Sequence, residues 1–227
     1  NWTTDFAKLA EFQRRGVLAL LADSTNAERK GWTPSERVID DALDKVFREA
    51  KGRIIIASFA SLVSRMQQVG NAALRHHRKM AFAGVSMTDN AKISRELGYL
   101  KLPDALLINL EEALRMKDSE VIIMCTGSQG EQFSTLGRLS TGTQRSFDVK
   151  EGDTIVLSSS PIPGNEENVY HTINRLMERG ANVIYEAIGH CYDKMANYAQ
   201  ARFHYKKASH LNQDDSQLHY KIACTYM

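Results

Sequence analysis

The run Val121-Ile122-Ile123-Met124 is short, apolar and β-branched, and it ends abruptly in Cys125-Thr126-Gly127-Ser128-Gln129-Gly130-Glu131. Its length suits a buried strand, and two glycines let the chain leave through a tight turn into a helix expected from Glu131. Runs of the same kind recur at 53–58, 80–85, 154–159 and 182–185. Helical patterns separate them. One, capped by Ser35, carries Val38, Ile39, Leu43, Val46 and Phe47 at helical spacing. Others run from about Ser61 to the basic stretch Arg75-His76-His77-Arg78-Lys79, near 88–97 and 109–116, and over 166–179, where Gly180 suits the C′ position. A helix over 5–15 and a buried strand over Val17–Ala22 open the chain, and Leu139–Asp148 reads as a long polar segment. Strands alternating with helices predict an α/β fold, a mostly parallel sheet flanked by helices.

After about residue 186 the period changes. Residues 187–195, 198–211 and 216–227 are helical in pattern with short polar connections and no strand signal. The expected organisation is therefore an α/β domain over 1–186 and a helical tail over 187–227.

Loops at the carboxyl end of a central strand are where open α/β sheets bind ligands. The amides of Gly127, Ser128 and Gly130, with the Ser128 hydroxyl, can face a phosphate from such a loop. A plain strand-to-helix turn carries the same residues, so both readings stand. The stretch holds neither the Gly-Lys-Ser/Thr of a P-loop nor Gly-x-Gly-x-x-Gly.

Charge narrows the partners. With 29 basic against 27 acidic residues the net charge is +2, which excludes a bulk nucleic-acid coat but leaves room for a local basic groove. Cys125, Cys191 and Cys224 are scattered and odd in number, so no disulfide framework is expected and a reducing, cytoplasmic setting is favoured. No apolar run approaches the length of a membrane span, so no membrane partner is expected. A start at Asn1, and an end at Met227 inside a helical pattern, predict an excised segment.

Five stretches in order carry a family resemblance: Gly16–Arg29, Thr33–Arg37, Ile56–Gln68, Cys125–Glu131 and Asp153–Asn168. Residues 1–185, about four-fifths of the chain, resemble the β-CASP domain of bacterial ribonuclease J, a nuclease of the metallo-β-lactamase superfamily. The resemblance implies a zinc-dependent 5′-to-3′ exo- and endoribonuclease as parent, in which this domain faces a metallo-β-lactamase domain across an RNA cleft. It also implies zinc ligands in a His-x-His-x-Asp-His motif. The histidines here, His76, His77, His171, His190, His204, His210 and His219, do not have that spacing. The implied cofactor is therefore none in this chain, with zinc held by ligands outside the sequence, and cleavage by this chain alone is not expected. Glu186-Ala187-Ile188-Gly189-His190 stands where a Gly-His loop of the family should follow, and only superficially echoes it.

Residue by residue, Asp23 matches the family's acidic motif and would support catalysis by orienting a neighbouring metal ligand, with Ser24 and Thr25 beside it. Asp-Ser-Thr is equally good capping chemistry. Thr126, Gly127, Ser128, Gln129 and Glu131 match the loop bordering the RNA path. Ser58, Phe59, Ser61 and Arg65 match the cleft lining, where Phe59 would stack on a base, or fill the core, and Arg65 would meet a phosphate. Ser158, Ser159, Ser160 and Asn165 belong to another loop at the same sheet edge. The implied partner is single-stranded RNA.

The tail resembles a tetratricopeptide repeat. Counting from Asn182, small and aromatic positions fall on Gly189, Tyr192, Ala201, Tyr205 and Ala208, and a second unit from Ser216 places Ile222, Ala223 and Tyr226. Tyr185, His219 and Gln213 depart from the usual Trp, Trp and Pro. Small residues let helices approach while aromatics fill the gap between hairpins, but about three units are normally needed to bury a core. Two signatures meeting near 186 predict a fusion. They also supply the alternative function, a protein-interaction or self-association module using 187–227 with the α/β part as scaffold. A nucleotide binder using Thr126–Glu131 is a third reading, without a P-loop lysine or ribose-binding acid.

Overall fold

The computed structural model describes residues 5–19, 21, 36, 38–159, 161–162 and 164–184. The chain divides into two compact units, Asn1–Thr33 and Pro34–Met227. The boundary expected at 186 and the repeat-like tail lie outside the described residues, as do Asp23, Ser24, Thr25 and Ser160.

In the first unit, α1 (Phe6–Arg15) starts where the Asp5 carboxylate accepts the Lys8 N–H at 3.0 Å. The strand expected over Val17–Ala22 is not found in the described part of that stretch. Val17, Leu18, Ala19 and Leu21 belong to no strand, and Val17, Leu18 and Leu21 are exposed. An apolar run reports what a side chain prefers, whereas a strand also needs a neighbour for its backbone hydrogen bonds. None pairs with these residues among those described.

The second unit is built on a five-stranded sheet with order β2-β3-β1-β4-β5. The strands are β1 (Ile54–Ala57), β2 (Lys79–Ala83), β3 (Val121–Cys125), β4 (Thr154–Leu157) and β5 (Asn182–Val183). Every pairing is parallel. Both faces are covered, which is why the strands read as unbroken apolar runs. Alternation sorts their side chains. Ile54, Ile56, Met80, Ile122, Met124 and Val156 face one layer, formed by α2 (Val38–Glu49), α3 (Val63–Arg75) and α4 (Val85–Glu96). Ile55, Ala57, Ala81, Ile123, Cys125, Ile155 and Leu157 face the other, which includes α5 (Leu110–Ala113), α6 (Thr135–Thr141) and α7 (Glu166–Glu178). Each fully buried isoleucine stabilises the sheet by roughly 1.5–3 kcal/mol.

Helix ends follow their caps. α6 begins at Thr135, later than expected, because Ser134 is its N-cap: the Ser134 Oγ accepts the Gly137 N–H at 3.0 Å and donates to Glu131 O at 2.6 Å. It also takes the first part of the stretch read as polar loop. α7 ends as Gly180 foretold. With φ +86, Gly180 donates to Met177 O while Ala181 donates to Leu176 O, a Schellman motif.

At the amino edge of the sheet, Arg53 and Asp153 are buried just before the β1–β4 ladder. Arg53 Nε donates to Asp153 Oδ1 at 3.0 Å and Nη2 to Asp148 O at 2.7 Å, and the two side chains form an ion pair. The basic stretch at the end of α3 is taken up by the fold in a similar way. Arg75 and the His76 Nε2 reach the Asp44 carboxylate, Arg78 caps the last carbonyls after α2 at Ala50 and Gly52, and Lys79 bonds Ala105 O. Partial burial pushes the Asp44 carboxyl up, but the hydrogen bonds and positive charge of Arg75 and His76 outweigh it and hold the group below the ordinary value.

Candidate functional site

Three neighbouring strands end in step at the carboxyl edge. The ladder sets Ala57 beside Cys125 and beside Leu157. It runs one residue further, because the Ser58 N–H donates to Cys125 O at 3.0 Å and the Ser158 N–H to Ala57 O at 2.8 Å. Thr126, Ser58 and Ser158 thus stand in a row on adjacent strands, about 4.8 Å from one to the next. The helix following β1 packs on one face of the sheet, and those following β3 and β4 pack on the other. Such a divergence opens a crevice at the strand ends, the usual ligand position of open α/β sheets.

The loop after β3 is more enclosed than its sequence suggests. Gly127, Ser128, Gln129 and Gly130 are all buried. A side chain on Gly127 (φ +118) would sit 2.3 Å from the Ser134 Oγ, and one on Gly130 (φ +74) 2.4 Å from the Asn168 carbonyl carbon. Close packing on α6 and α7, as well as the turn, therefore demands these glycines. The Gly130 N–H donates to Gly127 O and the Gln129 N–H to the Glu131 carboxylate at 2.9 Å, so these two amides are not directed at a phosphate. Leu136 N–H donates to Thr126 O, fixing the loop's start. Ser128 differs from its neighbours: it is 1% exposed, and its Oγ is buried without a hydrogen-bond partner. Leaving a hydroxyl in that state costs about 1–3 kcal/mol.

The remaining expected residues separate into two groups. Ser61 is exposed, Phe59 and Ser159 are partly buried, and Glu131 is exposed although its carboxylate is tied to Gln129 N–H. Arg65, expected to meet a phosphate, is instead 3% exposed, with its guanidinium turned inward. Its Nε donates to Gln68 Oε1 at 3.0 Å, Nη1 to Ser158 O at 2.9 Å and to Ser158 Oγ, and Nη2 to the Glu36 carboxylate. Gln129 is likewise buried, its side-chain amide bonded to Ser159, Ile162 and Asn165. Sequence spacing did not single out Glu36 and Ser158 as partners of Arg65, because they lie 29 and 93 residues away.

The described residues do not fit a zinc site, since no three His, Cys, Asp or Glu side chains among them converge. Cys125 is unsuited to ligation or nucleophilic chemistry as it stands, because complete burial pushes its thiol up to about 12 and keeps it protonated. No described helix is long and apolar enough to cross a membrane.

Comparison with known proteins agrees with this geometry. The family model described as ribonuclease J, β-CASP domain, matches residues 51–176, from just before β1 to within α7. The chain is 46% identical to ribonuclease J of Synechocystis over 181 residues, covering 80% of this chain and 28% of that protein. It is 49% identical to ribonuclease J of Thermus thermophilus over 179 residues (79% and 31%) and 41% identical to that of Helicobacter pylori over 186 residues (82% and 27%). The matched part thus spans less than a third of the length of each of these relatives.

Proposed function

Because this chain belongs to the ribonuclease J family, whose β-CASP domain it carries, we propose that it forms one wall of an RNA cleft. The opposite wall, a metallo-β-lactamase domain holding zinc, would come from residues outside this sequence. The observation that carries the proposal is the carboxyl edge of the sheet. Thr126, Ser58 and Ser158 end adjacent strands side by side. Single-stranded RNA offers phosphate oxygens and 2′-hydroxyls that a serine can bond, and bases that Phe59 can stack upon. Asp23, Ser24 and Thr25 keep the roles that the family match implies, Asp23 as the group that orients a metal ligand.

The chain's own part in such a nuclease is to bind and position the strand. Zinc held by residues outside this sequence would supply the chemistry of phosphodiester cleavage in the assembled enzyme.

The test is a binding and cleavage assay of the pure chain with 5′-monophosphorylated single-stranded RNA, with and without zinc or manganese. The expected result is weak, salt-sensitive binding and no cleavage. Metal-dependent cleavage would overturn the assignment of the metal to residues outside the chain, and absence of binding would overturn the cleft.

The tail, 187–227, is proposed on its repeat-like spacing as a distinct helical segment that binds a protein partner or a second copy. Sedimentation of the chain with and without these residues tests this. Monomeric behaviour in both removes self-association, and an unchanged set of bound proteins removes the partner.

A further inference from the structure

The stretch after β4, from Ser158 to Asn165, contains Pro161 and Pro163 in sequence, which have no N–H to give. The backbone bond of its described residues to one another is Asn165 N–H to Ile162 O at 2.9 Å. Side chains from two other elements hold this segment. Arg65, from the start of α3, donates through Nη1 to the Ser158 carbonyl at 2.9 Å and to the Ser158 hydroxyl, while Nε and Nη2 are taken by Gln68 and Glu36. Gln129, from the loop after β3, donates through Nε2 to Ser159 Oγ at 2.9 Å. Its Oε1 accepts the Ile162 N–H at 2.7 Å and Asn165 Nδ2 at 3.4 Å, occupying both lone-pair directions.

Sheet order shows why the second contact matters. β3 and β4 are not neighbours, since β1 lies between them. Gln129 therefore joins loops whose strands are two places, roughly 10 Å, apart, passing over the end of β1.

We infer that Arg65 and Gln129 are positioning residues of the cleft: they latch the Ser158–Asn165 loop onto the start of α3 and onto the loop after β3, and do not themselves touch RNA. The inference rests on the reading of this edge as an RNA cleft for its functional part, and on the hydrogen bonds alone for the latch.

The experiment uses the full chain and the variants Arg65→Ala, Arg65→Lys, Gln129→Ala and Gln129→Glu. Two readouts are taken on folded protein, verified by an intact unfolding transition: amide hydrogen exchange, and titration with 5′-monophosphorylated oligouridylate over a range of salt. In exchange, the latch predicts faster loss of protection at Ile162 and Asn165 in the Gln129 variants and at residues 158–159 in the Arg65 variants, with β1 and β3 unchanged. Unchanged protection in that loop overturns the latch, whether or not RNA binds.

In titration, affinity falls about tenfold in the alanine variants while the slope of log K against log salt stays that of the parent chain. Arg65→Lys, which keeps the charge but not the fork, fails to restore binding. If Arg65→Ala instead flattens the slope by about 0.7, the value for one phosphate contact on a single strand, and Arg65→Lys restores affinity, Arg65 is an RNA ligand and the inference is wrong. Parent-like affinity in loops shown by exchange to be released removes the positioning role. A parent chain that binds no RNA, with exchange as expected, would overturn the cleft and the positioning role while the latch stands.

Discussion

At the scale of single residues, chemical type proved a poor guide to role where burial intervened. Ser128 and Arg65 were both expected to meet RNA, yet Arg65 has protein partners on all three guanidinium nitrogens whereas the Ser128 hydroxyl has none. Ser128→Ala is therefore expected to leave the urea unfolding midpoint unchanged or to raise it, because it removes an unsatisfied buried group that costs about 1–3 kcal/mol while the small void left by the oxygen offsets part of that gain. A loss of stability would mean that the hydroxyl already has a partner. Cys125 yields a second prediction. With its thiol pushed up to about 12 by burial, it should resist alkylation at pH 8 in the native chain and react once urea unfolds it. Peptide mapping separates it from Cys191 and Cys224.

Among the elements, the close approaches carry the clearest consequences. Gly130→Ala would drive a methyl group into the backbone of the first turns of α7 and force a side chain into a left-handed conformation. A loss of about 2 kcal/mol or more in chemical denaturation is expected, since backbone cannot step aside as a side chain can. The contact between α2 and α3 through Asp44 predicts a pH dependence. Its carboxyl is held below the ordinary value in the folded state. Its contribution is thus fully present above the unfolded value of about 3.9 and is lost as pH falls through the lower folded one. The difference in unfolding midpoint between the parent and Asp44→Asn should persist at pH 5 and close as pH falls below the ordinary carboxylate range. Persistence into stronger acid would show that Arg75 and His76 do not sense this charge. Strands and most helices were legible from periodicity and caps, Gly180 among them. The early start given to α6 and the strand read at Val17–Ala22 were not, because a cap needs its own geometry and a strand needs a partner.

On the scale of the whole molecule, the sheet is tied at both edges by groups distant in sequence. Arg53 and Asp153, 100 residues apart, pair where β1 and β4 begin. Removing one partner leaves a buried charge uncompensated, so Arg53→Ala should lower stability by roughly 3–5 kcal/mol in denaturant. Replacing both residues by apolar ones should recover part of that loss. A single variant within 1 kcal/mol of the parent would mean that water reaches the site. The sequence by itself determined the α/β class, the strands of the parallel sheet and the family, though not the strand read at Val17–Ala22, because apolar runs, helical spacing and ordered motifs are local properties that each segment expresses alone. It also indicated which loops would gather at one edge. Only the tertiary structure decided which side chains in those loops are free to meet a ligand. Burial and hydrogen bonding are set by what packs alongside, and Arg65 acquires its acceptors from residues as far as 93 positions away.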